Sequence, residues 1–577
     1  MYYARKMIAS RAASIAIVAV TAAAAAAATT DYASSPRATT APPQVPAIPV
    51  VRRCEALSGR WEPNGAVVTA AFVERGATLP PEVLQGPGGK AAAPPDAGFC
   101  RVKATVTPTA GSDIGIEIWL PLDEKWNGKF YGTGNGGAGG RIVYSALLGG
   151  IGRGFAVANT DLGTHVGTPP SMRFGVGRPD LRANYTYRAV HAMTEVGKEA
   201  VRRFYGRQAS KSIFSGCSAG GFEAMGEAIR FPKDYDGIIA GDPAINFAPL
   251  ALFQGYSYAM THRTPASAIP VSLLPTLAAE AIRQCDALDG LKDGLISDPR
   301  QCRVDWSRIA CHPGMAEGCA NPDQIVALQA IYAGLRNPRN GRLIYPGFNP
   351  GAEATAGAKV RLSDAGAASL NTSAVPGPLT WVLPANWVAA DWLHFDFGAD
   401  SERMLHAFAP YENNSPDLGA FRAHGGKFIL YTGWADPNIS PIDHAYFYER
   451  VIARTGGDRE FSRFFAAPGM NHCGGGPGPN NFGQGAAGTG PNNDVVAAME
   501  RWVDGGPAPE RLVATKFRGD DPSQGIERTR PLCAFPRVAR WDRRGSIDDA
   551  ASFSCVGPAQ DDPHYLASLR QNSSRVR

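Results

Sequence analysis

SGCSAGG, residues 215–221, is the stretch on which the fold turns. Within it, Gly216-Cys217-Ser218-Ala219-Gly220 matches G-x-S-x-G. In a chain with 66 glycines among 577 residues the match alone decides little, so its flanks carry the reading. KSIFSG (211–216) reads as a strand and AGGFEAMGEAIRF (219–231) as a helix. A serine on a sharp strand-to-helix turn needs small neighbours, and Gly216, Ala219, Gly220 and Gly221 supply them. Such a turn presents the hydroxyl of Ser218 and aims the N–H of Ala219, at the helix start, toward a developing oxyanion.

The segments around this turn alternate in type. IGIEIWLPL (114–122) alternates like a strand, KFYGTGNGGAGG (129–140) runs from a strand into a glycine-rich loop, and GFAVANTDLG (154–163) is an apolar strand with a polar exit. Between residues 184 and 205, Val190, Met193, Val196, Ala200, Val201 and Phe204 recur at helical spacing. DGIIAGDP (236–243) is a further strand. Strands alternating with helices predict an α/β fold with a mainly parallel sheet. The alternation stops near residue 247, and the next stretch is irregular and rich in Pro, Gly and Trp. KFILYTGWADP (427–437) then restores a buried strand with a polar exit. The expected organisation is a first catalytic part over 51–246, an inserted lid over 247–423 and a second catalytic part over 424–577.

A lone serine hydroxyl is a weak nucleophile and needs a base and an orienting acid. In this kind of fold the chain order is Ser, acid, His. Asp436 follows a predicted strand, where the acid belongs. Of the histidines beyond it, His444 falls on the predicted helix PIDHAYFYERV and reads as a packed or surface residue, and His564 lies near the polar end of the chain. His472, in the loop PGMNHCGGGPG (468–478) after the strand-like RFFAAP, is the better base. The loop Asn135-Gly136-Gly137 is placed to give a second oxyanion donor, or is a plain glycine turn. Cys217 precedes the serine and Cys473 follows the histidine; if Ser218 and His472 come within hydrogen-bond reach, the two sulfurs can bond.

These residues resemble the tannase and feruloyl esterase family, which includes mono(2-hydroxyethyl) terephthalate hydrolases. The resemblance rests on the GCS, GWADP and NHCGGGPG segments in order and runs from about Cys54 to Cys555. It implies an α/β-hydrolase fold with a large inserted lid domain, a Ser218-Asp436-His472 triad, oxyanion amides from Ala219 and Gly137, and a Cys217–Cys473 disulfide. Family members often carry another residue, commonly Thr, where this chain has Ala219; a backbone donor tolerates the change. Spacing leaves the pairing of the ten cysteines open. The resemblance implies Cys54–Cys100, Cys285–Cys302, Cys311–Cys319 and Cys533–Cys555 for the others.

CDALDGLKDGLISDPRQC (285–302) crowds Asp286, Asp289 and Asp293 into eight residues. Oxygen donors at this density suit Ca2+, although the spacing is not that of an EF-hand, and a solvated acidic loop reads equally well from spacing alone. The resemblance implies a structural Ca2+ held by Asp286, Asp289, Asp293 and the carbonyls of Leu291 and Leu295. LTWVLPANWVAADWLHFDF (379–397) carries three Trp and two Phe, either a wall for an aromatic acyl group or the core of the lid.

At the N-terminus, Arg5 and Lys6 precede, and Arg11 abuts, the apolar, Ala-rich run 12–28, which reads as a cleaved secretory signal peptide followed by a Pro-rich linker to residue 50; the alternative, a membrane anchor, is disfavoured by its marginal length and weakly apolar Ala half. No other apolar run is expected to span a bilayer. Ten cysteines and no C-x-x-C pair point to disulfides in an oxidising compartment, hence a secreted or periplasmic protein, and away from structural zinc. Asn184 and Asn371 stand in glycosylation sequons. A net charge of +5 without a basic block excludes nucleic acid as the evident partner. The expected partner is a small aromatic ester, as substrate of a secreted serine esterase with no stable membrane insertion. The reading of a different class is a non-catalytic, calcium-dependent secreted binding protein on the same fold; turnover of a generic nitrophenyl ester separates the two.

Overall fold

The computed structural model describes residues 49–557, apart from 63–64, 82, 84–94, 166–170, 316, 364–376, 385 and 486–491. The signal segment, nearly all of the linker, His564 and the sequon at Asn371 lie outside the described residues.

The strands in chain order are β1 Gly59–Trp61, β2 Ala66–Val73, β3 Phe99–Thr109, β4 Ser112–Pro121, β5 Lys129–Thr133, β6 Ala156–Thr160, β7 Lys211–Cys217, β8 Gly237–Gly241, β9 Leu335–Arg336, β10 Leu343–Tyr345, β11 Lys427–Gly433 and β12 Ser462–Ala467. Among the described residues ten of them form one sheet, in the order β1-β2-β3-β4-β6-β5-β7-β8-β11-β12. β1 to β4 pair antiparallel, β4 meets β6 antiparallel, and β6 through β12 are parallel. β6, β8 and β11 are buried along almost their whole length because the parallel part of the sheet is covered on both faces. Two core clusters lie on these faces, with Ile238, Leu430 and Phe464 in one and Ile239, Ile429 and Phe465 in the other. This is the α/β-hydrolase arrangement that the sequence segments imply.

The helix Ala189–Tyr205 buries all six of its periodic apolar residues and ends at Gly206 with φ +69°, the left-handed cap that glycine tolerates. It follows a short helix, Pro179–Ala183, and one π turn. Asn184 sits in that turn, fully buried, and its amide donates to Ser112 Oγ at 2.6 Å, so this sequon is closed to modification.

β8 and β11 pair directly, with Ile239 opposite Ile429, yet 185 residues separate Gly241 from Lys427. Residues 247–423 are therefore an insertion between two neighbouring strands. They are less irregular than their sequence suggests. Helices span Phe247–Thr261, Leu274–Cys285, Pro322–Ala333 and Ala399–Phe408, and β9 and β10 form a hairpin. The helix Phe247–Thr261 escapes a periodicity search because it is apolar all round: Leu250, Leu252, Phe253 and Ala259 all point into protein. The described residues from 49 to 557 belong to one compact unit, with insertion and sheet residues in the same core cluster.

One expectation needs correction. The run Pro265–Asp289 is long and apolar enough to cross a membrane by length and composition. It is built from four short helical pieces, and Leu273, Leu274, Leu277 and Ala281 belong to the protein core. Beyond β12, the hairpins β13 Arg511–Phe517 with β14 Ile526–Cys533, and β15 Val538–Trp541 with β16 Phe553–Val556, close the described chain.

Candidate active site

Ser218 stands between β7 and the helix Ala219–Arg230 with φ 64° and ψ −120°, a backbone conformation that non-glycine residues rarely hold. The turn is fixed from both sides. Ser218 N donates to Gly241 O at 2.9 Å and Gly220 N to Asn135 O at 2.8 Å. Glycine is needed here because backbones touch: a Cβ on Gly216 would lie 2.5 Å from the carbonyl carbon of Gly220.

The loop 134–137 is stapled onto the same helix. Asn135 N donates to both carboxylate oxygens of Glu223, at 3.3 and 3.2 Å, and its side-chain amide donates to Thr160 O at 2.7 Å. Burial drives the Glu223 carboxyl well above the usual range, opposed by the Asn135 N–H. Gly137 sits at φ +60°, with open space where a Cβ would be, and Tyr185 OH donates to its carbonyl at 2.7 Å.

Asp436 follows β11 and is fully buried. One carboxylate oxygen accepts from Asn438 N at 2.7 Å and Ile439 N at 3.1 Å; the other meets His472 Nδ1 at 2.7 Å. Burial lowers the imidazole pKa, but the Asp436 charge and hydrogen bond, aided by Asp242, push it up to about 9. The Nδ1 contact leaves Nε2 of His472 for another partner. His444 is buried, with Nδ1 2.8 Å from Thr432 Oγ1 and Nε2 2.8 Å from Pro243 O; burial holds its pKa down to about 4.

Ser218, Ala219, Gly137 and His472 line one cavity of about 430 Å³. Its floor is the end of the parallel strands. Phe247, Leu250, Gln254, Arg361 and Pro378 of the insertion cover it. Such an arrangement can deprotonate a hydroxyl at a carbonyl held beside two backbone N–H donors. Cys217 and Cys473 flank this site as a disulfide. The other bridges are Cys54–Cys100, Cys285–Cys302, Cys311–Cys319 and Cys533–Cys555, and no cysteine is free.

Two residues at the site escaped the sequence reading. Asp242, just past β8, is buried and accepts from Thr432 Oγ1 at 2.8 Å, Gly433 N at 2.9 Å and Cys473 N at 2.8 Å. Its signal was a carboxylate directly after a buried strand, the same signal that marks Asp436. Arg361 lines the cavity, and its Nε is buried without a partner among the described residues. No motif marks it. The aromatic stretch 379–397 is mostly core of the insertion. Trp381 packs on Phe174, Tyr185, Phe408 and Tyr411, while Trp387, Trp392, Phe395 and Phe397 pack on one another. None of them lines the cavity; Phe247 is its aromatic wall.

In the acidic loop, Asp286 accepts from the N–H groups of Asp293 and Gly294, and Asp289 from Leu291 N and Ser297 Oγ. Asp293 accepts from Leu295 N and pairs with Arg530 at 2.5 Å. Burial raises the Asp293 carboxyl, as does Asp289, against Arg530 and Arg528. Among the described residues the carboxylate, histidine and cysteine side chains whose ligand atoms converge within 4.8 Å lie elsewhere, at Cys217-Asp242-Cys473, where the two sulfurs are bonded to each other, and at Asp242-Asp436-His472.

The family model described as tannase and feruloyl esterase matches residues 100–556. An uncharacterized esterase of Xanthomonas campestris is 37% identical over 496 residues, covering 79% of this chain and 84% of that one. The mono(2-hydroxyethyl) terephthalate hydrolase of Piscinibacter sakaiensis is 32% identical, covering 89% and 93%. The crystal structure of feruloyl esterase B from Aspergillus oryzae superposes with a TM-score of 0.77 at 29% identity, covering 88% of this chain and all of that one.

Proposed function

The chain belongs to the tannase and feruloyl esterase family and is a carboxylic ester hydrolase, and on that premise we propose that it cleaves esters of aromatic acids through Ser218, His472 and Asp436. The observation that carries the reading is the pairing of His472 with buried Asp436 on the wall of the cavity that Ser218 enters. Neutral His472 takes the proton of Ser218 as its oxygen attacks the ester carbonyl. The N–H groups of Ala219 and Gly137 receive the negative oxygen. His472 passes the proton to the leaving alcohol, and the acyl group stays on Ser218. Water then repeats the sequence and frees the acid. Asp436 keeps the imidazole oriented and balances its charge.

The aromatic acyl group is supported by the names of the relatives, feruloyl esterase B and mono(2-hydroxyethyl) terephthalate hydrolase, and by a cavity walled by Phe247, Leu250 and Ile439. Export is supported by the basic, apolar start of the sequence and the five disulfides. The acidic loop offers only oxygen donors, which fits a hard divalent cation. Asp286, Asp289, Asp293 and the carbonyls of Leu291 and Leu295 would hold Ca2+, whose part is to neutralise and rigidify the loop.

The test is Ser218→Ala. Turnover of a nitrophenyl ester should fall by several orders of magnitude with the fold intact, and fluorophosphonate labelling should map to Ser218. Labelling elsewhere, or a variant with near-parent turnover, overturns the assignment. A panel of feruloyl, galloyl and terephthaloyl esters fixes the acid.

A further inference from the structure

The His472–Asp436 pair has a second carboxylate beside it. Asp242 leaves the end of β8, one strand over from Asp436 at the end of β11, and the reactive atoms of Asp242, Asp436 and His472 lie within 4.8 Å of one another. The two aspartates are held differently. Asp436 takes backbone N–H groups of its own turn and the imidazole. Asp242 takes Thr432 Oγ1 and Gly433 N from the neighbouring strand on one oxygen, and the N–H of Cys473, the residue after the base, on the other. Its backbone is at φ 35°, which an aspartate tolerates better than most residues.

Resting on the Ser-His-Asp reading above, we propose that Asp242 is a second acidic positioning residue, which pins the histidine loop through Cys473 N–H and, beside Asp436, sets the basicity of His472. Three hydrogen-bond donors converge on a buried carboxylate that is not among the residues lining the cavity of Ser218 and His472. A merely structural acceptor at this place could be neutral. A carboxylate one strand from Asp436 instead adds a second negative charge to the surroundings of an imidazole that must become a cation in each half-reaction. Burial and the Asp436 charge raise Asp242's own pKa to about 7, and His472 opposes them. The other titratable groups in this field are Arg361 of the insertion, His444 of the helix Pro441–Arg454, Tyr431 of β11 and Tyr345 of β10.

The experiment is the pH dependence of kcat/KM toward a nitrophenyl ester for the full chain, in the parent, Asp242→Asn, Asp242→Gly and Ser218→Ala. Parent-like turnover in Ser218→Ala overturns the underlying reading, and with it this one. With Ser218 established, both Asp242 variants should shift the acid limb down by about one pH unit. The direction follows from the charge: without it, His472 gives up its proton more readily. The kcat should fall roughly tenfold with little change in KM, because the base is less well held. The glycine variant accepts φ 35° without strain and serves if the asparagine variant does not fold. Peptide mapping should still find Cys217 bonded to Cys473. An acid limb at the parent position in the folded variants overturns the proposal whatever the loss of turnover, since a purely structural aspartate would cost rate without moving it.

Discussion

The Cα atoms of Cys217 and Cys473 lie 6.0 Å apart, and a disulfide joins the residue before Ser218 to the residue after His472. The bridge ties the strained turn at the head of one helix to a loop that β12 delivers from the other side of the site. Its closure spans 256 residues, against 8 for Cys311–Cys319. Chain entropy gives upper figures of about 5.5 and about 2.5 kcal/mol for loops of these lengths. Replacing both Cys217 and Cys473 by Ala should therefore lower the melting temperature more than replacing Cys311 and Cys319. It should also cost far more turnover, because only the first bridge sets the spacing of Ser218 and His472. Thermal unfolding and nitrophenyl ester assays on the two double variants decide it; equal loss of activity in both would remove the special role of the first bridge.

A base must be neutral to accept a proton. Asp436 and Asp242 raise the His472 pKa to about 9, so the imidazole is largely protonated and idle near neutral pH. The sign is plain: kcat/KM should climb as pH rises from 7, approaching its plateau only above about 9. A pH series with a neutral ester, which has no titrating group of its own, checks this. An acid limb centred at or below the ordinary histidine value of about 6.5 contradicts the strongly anionic setting.

Glycines around the turn separate into those that touch backbone and those that do not. A Cβ on Gly216 would press on the carbonyl carbon of Gly220 at 2.5 Å, and one on Gly134 on the Cα of Gly220 at 2.5 Å, whereas a Cβ on Gly136 meets nothing within 4 Å. Backbone cannot swing aside as a side chain can. Gly216→Ala and Gly134→Ala should each destabilise by about 1–3 kcal/mol and displace Ser218 enough to lower turnover. Gly136→Ala should stay within about 0.5 kcal/mol of the parent. Denaturant midpoints of the three variants give the comparison.

What the sequence made legible follows the range of the interactions. Ser218, Asp436 and His472 each stand in a local strand-to-turn signature, so short windows are enough to single them out as candidates. Asp242 carries the same signature, but its meaning depends on β8 lying beside β11, a pairing that 185 intervening residues hide. The helix Phe247–Thr261 roofs the site yet has no polar face to mark its period, since it is enclosed. Trp392 and its aromatic neighbours invite a substrate pocket when read as composition; packed, they spend their surface on one another, and the nearer wall falls to Phe247, a residue with no aromatic neighbours in sequence.

The acidic loop yields the last prediction. Asp286, Asp289 and Asp293 are half-buried, and of the three only Asp293 has an arginine partner among the described residues, in Arg530 and Arg528. A cation bound only in the folded state would stabilise it in proportion to the logarithm of its free concentration over Kd, about 2.7 kcal/mol at a hundredfold excess. Chelation should therefore lower the melting temperature, and added Ca2+ should restore it. Asp289→Ala should lower it similarly and lose the response to both treatments, while Arg530→Ala should make the folded protein depend more strongly on Ca2+, since the cation then has more of the charge to balance. At low temperature the destabilised proteins should still turn over ester, because the loop contributes no residue to the cavity of Ser218 and His472. A melting temperature indifferent to chelator in the parent, with no calcium in native mass spectra, overturns the calcium assignment and leaves the loop balanced by protein cations such as Arg530 and Arg528.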